Sequence, residues 1–256
     1  MVPFKRKTPE EILNSIYQLR RGRLKIIIGS VSGSGKTYNM LEEGKLLKKQ
    51  GIDVVISAVS TMQRMDTVQQ LVDLERVPSI HWWKDGKEQK DLPLEVLLER
   101  NPEVILVDGL AHRNRIGAQF STRLEDIRYL MDKGISVITT INVYELAGVG
   151  ETIFQMTGIR AEETVPLNTL EIADEVRLID VSPETILKRI EEGVLGGETH
   201  PALSRMGNLG VLRELSLRLV AEGVNYSLEK HREDRGLIGP SGAIERILVS
   251  TQYHWN

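Results

Sequence analysis

The chain has 256 residues, 41% of them hydrophobic and 27% charged, enough for one large α/β domain or two small ones with a sizeable core, and not the composition of a disordered chain. Its 33 basic and 36 acidic side chains leave a formal charge of -3 with no basic arm or acidic tail, so no nucleic-acid surface is implied. Cysteine is absent, which excludes disulfides, thiolate metal sites and thiol catalysis and fits a reducing compartment; no apolar run approaches a membrane span or a signal-peptide core, so a cytoplasmic stretch is expected, alone or as part of a longer membrane protein.

In chain order, Thr8-Pro9-Glu10-Glu11 has the marks of a helix start, with Thr8 as N-cap, Pro9 in the first turn and Glu11 closing a capping box. Ile12, Ile16 and Leu19 fall on one face of that helix. Arg20-Arg21-Gly22-Arg23 ends it, most simply as a solvated helix end, with a phosphate contact as the alternative. From Leu24 the chain alternates between short β-branched runs and amphipathic stretches, the pattern of a parallel sheet covered on both faces. Strands are expected at 24–28, 53–58, 104–107, 136–141 and 176–179, with 79–83 as a short candidate member. Helices are expected at 37–49, 66–74, 93–99, 122–133 and 143–157, with Gly51 and Gly134 placed for left-handed caps. Trp82 and Trp83 read first as core packing and second as an interface.

Beyond Ile179 the pattern turns helical, at 183–192 behind the N-cap Ser182 and at 209–222, so a helical annex on the sheet is expected. Residues 1–226 form the expected domain, 227–242 a polar linker, and 243–256 the first strand of a further domain inside which the chain is expected to break off.

The run Gly29-Ser30-Val31-Ser32-Gly33-Ser34-Gly35-Lys36-Thr37 follows the first strand and opens the first helix. Glycines let backbone N–H groups curl around phosphate oxygens, and the helix aims its positive end at the same charge. It reads as a Walker A phosphate loop. Lys36 would reach the β and γ phosphates, Thr37 would offer its hydroxyl to Mg²⁺, and Tyr38 follows them into the helix. In the full pattern the first glycine falls on Ser30, which would cost roughly 1 kcal/mol if that position required positive φ. Val104-Ile105-Leu106-Val107 delivers Asp108 to the same end of the sheet, where an acid can hold Mg²⁺. The expected fold is thus a P-loop NTPase-like α/β domain with a mostly parallel sheet, helices on both faces and the helical annex.

The stretch from Arg21 through Thr37, together with Asp108-Gly109-Leu110-Ala111-His112-Arg113-Asn114, Thr139-Thr140-Ile141-Asn142-Val143, Thr157-Gly158-Ile159-Arg160, Glu163-Thr164-Val165-Pro166, Gly207-Asn208-Leu209 and Leu212-Arg213-Glu214-Leu215, closely resembles the N-terminal cytoplasmic domain of the KdpD osmosensitive potassium sensor kinases. The resemblance covers about residues 20 to 225, and the last strand looks like the opening of that family's universal-stress-protein-like domain. It implies an ATP-binding regulatory module of a two-component system controlling Kdp potassium uptake, with the rest of the sensor and Kdp proteins as partners. The histidine-kinase core and membrane helices of such proteins are absent from this sequence.

Three departures from the family pattern bear on chemistry. Gly109 replaces a glutamate beside the metal-binding aspartate, Tyr144-Glu145 replaces Gln-His after Asn142-Val143, and Ser60-Thr61 replaces a Glu-Thr pair. A glutamate beside the aspartate is the group expected to polarise attacking water, so binding is better supported than hydrolysis. Arg64 is read either as a phosphate-facing or partner-sensing side chain or as a loop arginine paired with Asp66. His112, Arg113, Asn114 and Asn142 are read as polar residues placed to report the γ-phosphate, or as loop residues satisfying their own backbone. A protein phosphotransferase with Asp108 or Glu145 as base, a weak ATPase, and a scaffold that binds no nucleotide are the competing readings.

Overall fold

In the computed structural model, which describes residues 20–60, 64–193 and 201–234, the alternation of β1 (Leu24–Gly29) divides the core into two halves. Leu24, Ile26 and Ile28 pack into one hydrophobic cluster and Ile27 into another, because successive strand side chains point to opposite faces. The chain continues through α1 (Lys36–Lys49), β2 (Val54–Ile56), α2 (Met65–Gln69), β3 (Glu75–Arg76), a hairpin of β4 (Ile80–Lys84) and β5 (Lys87–Asp91), then α3 (Leu94–Arg100) and β6 (Val104–Val107). After these come α4 (Arg123–Asp132), β7 (Ser136–Asn142), α5 (Gly150–Thr157), β8 (Glu175–Ile179), α6 (Pro183–Glu191) and α7 (Met206–Asp234).

Six strands form one parallel sheet in the order β3-β2-β6-β7-β1-β8. On one face α3 and α4 bring Leu94, Leu97, Leu124, Ile127 and Leu130 against Val55, Ile105, Val107 and Val137. On the other, Met40 and Leu41 of α1 pack with Ile27, Leu106 and Ile138. Truncating Ile27, which is fully buried, would cost about 2–5 kcal/mol through lost burial and the cavity left behind. Because the six strands of the sheet are parallel, their C-terminal ends all lie on one side. The glycine-rich loop and Asp108 therefore meet there.

The expected α/β architecture holds, including left-handed Gly51 (φ 88°) and Gly134 (φ 90°) behind α1 and α4. Ser182 caps α6 by accepting from the Thr185 N–H at 3.3 Å. A third cluster of Val31, Val143, Ile153, Ile186, Leu209 and Leu212 seats α6 and α7 beside the loop, which is the helical annex. The stretch expected as a single helix at 143–157 is instead a 3₁₀ turn, Val143–Glu145, followed by α5, with Gly148 at φ 91° between them. A backbone in that conformation cannot continue a helix.

Residues 79–83 do not join the main sheet. They supply β4, which pairs only with β5, and Trp83 is 71% exposed, so the core assignment fails for that side chain. Trp82 on the opposite face is half-buried and donates to Asp91 Oδ1 at 2.8 Å. The long helix α7 runs through Asp234, so the expected linker begins as helix; its Leu228, Glu229, Lys230 and Arg232 are good helix formers, and glycine first follows at 236. The N-terminal helix start at Thr8 and the strand at 244–250 lie outside the described residues.

Candidate functional site

The glycine-rich loop is shaped by close approach. A Cβ on Gly29 would come within 2.3 Å of Ser34 Oγ, and Gly33 (φ 90°) and Gly35 (φ 95°) carry the left-handed turns. Among the described residues only Ala58, Asp85 and Asn101 are non-glycines with positive φ, so Ser30 fits the loop without the strain considered from the sequence. Ser30 and Ser34 are buried, and Ser32, Thr37 and Tyr38 are half-buried.

Lys36 is the first residue of α1 and is 7% exposed. Its ammonium donates to Val31 O at 2.8 Å, Ser34 Oγ at 3.3 Å and Asn142 Oδ1 at 2.6 Å. Burial pulls its pKa down to about 8, against the opposing pull of Glu145 and Asp108. The next residue, Thr37, donates its hydroxyl to Asp108 at 3.0 and 3.2 Å, and Thr140 Oγ1 donates to the same carboxylate. A hydroxyl and a carboxylate from two elements thus converge beside a lysine. These are hard oxygen donors of the kind Mg²⁺ accepts, and among the described residues no group of three or more Asp, Glu or His forms a cage of its own.

Asn142 ends β7 and is held from behind. Its backbone N–H and Nδ2 donate to the two carboxylate oxygens of Glu145 at 2.8 and 2.7 Å, which turns Oδ1 toward Lys36. Glu145 is half-buried, and desolvation raises its pKa above the ordinary value while Asn142 and Lys36 pull it back. Gly109 sits at φ 72°, a conformation that strains a side chain. Its N–H donates to Thr140 Oγ1 at 3.0 Å, so the position next to Asp108 is bound into the strand ends.

His112 lines the cavity but its imidazole is committed. Nε2 donates to Asp91 Oδ1 at 2.8 Å, and burial, with Arg123 nearby, lowers its pKa. Asn114 is turned away from the cavity and donates to Asp126 Oδ2 at 2.7 Å, and Arg113 offers its N–H to Glu163 Oε2 at 2.9 Å. Of the three, only His112 faces the cavity. Arg64 is the N-cap residue of α2 and half-buried; burial lowers its pKa, and it feels Asp108 and Arg189. The Arg21 guanidinium lies at the opposite end of β1 from the loop and pairs with Asp132 at 3.2 Å, which removes the phosphate alternative for the arginine cluster there.

Two residues not predicted from the sequence complete the site. Arg123, 4% exposed at the start of α4, donates to the carbonyls of Asp108, Gly109 and Lys90, and so ties the β6 end to the hairpin. Arg189 reaches from α6 to Gly33 O at 2.7 Å. The resulting cavity, about 1100 Å³, runs from the loop and Arg189 to the hairpin rim, where Lys84 pairs with Glu163 at 2.9 Å. It holds Ser60 at its edge, while Thr61 lies outside the described residues.

A parallel α/β domain with a glycine-rich loop, a buried lysine and a strand-end aspartate at one side of the sheet, extended by a helical annex, defines the class of protein. The family described as the osmosensitive K⁺ channel His kinase sensor domain, KdpD, matches residues 20–224, and the chain belongs to this family. It is 36% identical over 236 residues to the sensor protein KdpD of Escherichia coli, covering 90% of this chain and 26% of that one. Against the sensor protein KdpD of Mycobacterium tuberculosis it is 38% identical over 248 residues, 95% of this chain and 29% of the relative. A KdpD-type sensor of Synechocystis is 39% identical over 235 residues, 90% of this chain and 62% of the relative. The chain therefore spans less than two thirds of these proteins.

Proposed function

We propose that this chain is an ATP-binding regulatory domain that takes Mg²⁺ with its nucleotide and passes nucleotide occupancy to the rest of a cytoplasmic sensor controlling Kdp potassium uptake. One observation carries the reading: Lys36, Thr37, Asp108 and Asn142, from three different elements, meet within hydrogen-bond distance beside a loop whose Gly29 cannot bear a Cβ. A Walker A site uses the glycine loop, the lysine and the hydroxyl together, with an acid at a neighbouring strand end. Backbone N–H groups of residues 32–36 would hold the phosphates, Lys36 would neutralise them, and Thr37 and Asp108 would hold Mg²⁺, which keeps waters and phosphate oxygens for its other positions.

The bound metal would supply charge neutralisation for the phosphates. The protein's own groups favour binding over turnover. Asp108 accepts from Thr37 and Thr140 and is the residue that would hold the metal, Gly109 has no side chain, and both oxygens of Glu145 orient Asn142, so the carboxylates next to the loop serve positioning rather than proton abstraction. This argues against the phosphotransferase and ATPase alternatives.

Thermal unfolding with and without ATP and Mg²⁺ tests the reading. A ligand at a hundred times its Kd adds about 2.7 kcal/mol, so millimolar ATP should raise the midpoint clearly. No shift at millimolar ATP would favour the scaffold reading instead.

A further inference from the structure

We infer that Arg189, on α6 of the helical annex, is itself a nucleotide-binding residue, which with Arg64 holds the terminal phosphate and so distinguishes triphosphate from diphosphate. The inference rests on the ATP reading above and adds to it a residue outside the loop and strand-end motifs. Arg189 Nη1 donates to the carbonyl of Gly33 at 2.7 Å across 156 residues of sequence, so the annex touches the crest of the phosphate loop. The bond uses one corner of a guanidinium that lines the cavity, and the remaining N–H groups of the fork suit phosphate oxygens.

Arg64 approaches from the N-terminus of α2 and interacts attractively with Asp108 and repulsively with Arg189. Asp108 marks the end of the loop where metal and terminal phosphate would sit, and Arg64 and Arg189 line the same cavity. Gathering Lys36, Arg64 and Arg189 around one cavity is unfavourable among the cations themselves, and a polyanion reverses that cost. The γ-phosphate adds the charge that rewards both arginines together. ADP lacks it.

The same contact gives nucleotide state a way out of the site. Ile186 seats α6 against Leu209 and Leu212 of α7, and Asp180 pairs with Arg213 at 2.6 Å. A phosphate that draws Arg189 biases α6, and α7 with it, up to the C-terminal end of the described chain.

Calorimetric titration of the full chain with MgATP and with MgADP, for the wild type, Arg189→Ala and Arg189→Lys, tests this. Ile186, Leu187 and Ile190 still pack α6 in both variants, and the melting midpoint without nucleotide checks that the fold survives. Arg189→Ala should lose about tenfold or more in MgATP affinity with little change for MgADP. Arg189→Lys, which keeps the charge but not the fork, should fall between. Equal losses for both nucleotides, or no loss for either, overturn the inference. If Lys36→Ala abolishes binding while Arg189→Ala leaves the ATP-to-ADP ratio unchanged, the phosphate loop stands and the role of Arg189 falls. A wild-type chain that binds neither nucleotide removes both.

Discussion

The two walls of the cavity are built differently. The loop wall is assembled from the ends of β1, β6 and β7, whose residues are anchored in the sheet, and its polar groups meet at short range: Lys36 with Asn142, and Thr37 with Asp108. The roof is a two-stranded hairpin outside the sheet, held down by a few polar ties: Arg123 to Lys90 O, Lys84 to Glu163, and one buried carboxylate at the end of β5. Asp91, 1% exposed, accepts from Trp82, His112 and both the backbone and side chain of Arg115. Sheet anchoring fixes the loop wall through many small packing terms, whereas the roof depends on a few buried polar bonds and is correspondingly fragile to their loss.

The largest effect should therefore come from the roof. Asp91→Ala strands Trp82 and His112 donors without a partner and should cost about 3–5 kcal/mol, read as a lowered urea midpoint. Equal stability would show that the sheet alone carries the fold.

On the loop side, Asp108→Asn keeps the shape but removes the negative charge. The dependence of ATP affinity on Mg²⁺ should then shrink about tenfold, measured by titration with and without the metal.

Acid should also separate the two walls. Burial pushes the Asp91 carboxyl up, but the bonds from His112, Arg115 and Trp82 outweigh it and leave its pKa below 3.8. The stability it contributes is thus present above 3.8 and lost as pH falls through the folded value. His112 is lowered from 6.5, so the unfolded chain binds more protons just below that pH and stability declines on acidification there as well. Hydrogen exchange should show the hairpin opening before the sheet as pH drops.

At the alkaline side the sign reverses for Lys36. Its pKa of about 8 lies under the unfolded 10.5, so its contribution to stability rises with pH through that window. Phosphate binding favours the charged form, so ATP binding near pH 8 to 9 should take up a proton, seen as a heat that varies with the buffer's ionisation enthalpy. The smallest effect is expected at the exposed hairpin face, where Trp83→Ala should change stability by no more than about 0.5 kcal/mol.

The loop wall was legible in the sequence because its chemistry is contiguous or sits at the ends of β-branched runs. Gly29 through Thr37 carry their own pattern, and Asp108 follows four apolar residues that need a sheet. The roof was not legible, for physical reasons that differ by residue. Arg123 is joined to Lys90 O across 33 positions, and His112 to Asp91 across 21, and no local periodicity marks such pairs. β5, Lys-Glu-Gln-Lys-Asp, has no apolar alternation because the one side chain it buries is the Asp91 carboxylate. Its turn did leave a signal: Asp85-Gly86, with φ 50° and 77°, is the dipeptide of a tight hairpin between β4 and β5. Arg189 looked like any basic residue in the last turn of a helix, and only the placement of the annex against the loop gives it a partner.

ATP binding by the loop wall through Lys36, with Mg²⁺ at Thr37 and Asp108, is what we propose for this domain. Calorimetric titration of the full chain with ATP, with and without Mg²⁺, for the wild type and Lys36→Ala tests it most directly. The wild type should bind more tightly with the metal present, and Lys36→Ala should lose about 30- to 100-fold, the worth of a charged hydrogen bond to phosphate. Equal ATP affinity in Lys36→Ala and the wild type would show that the loop does not hold the phosphates.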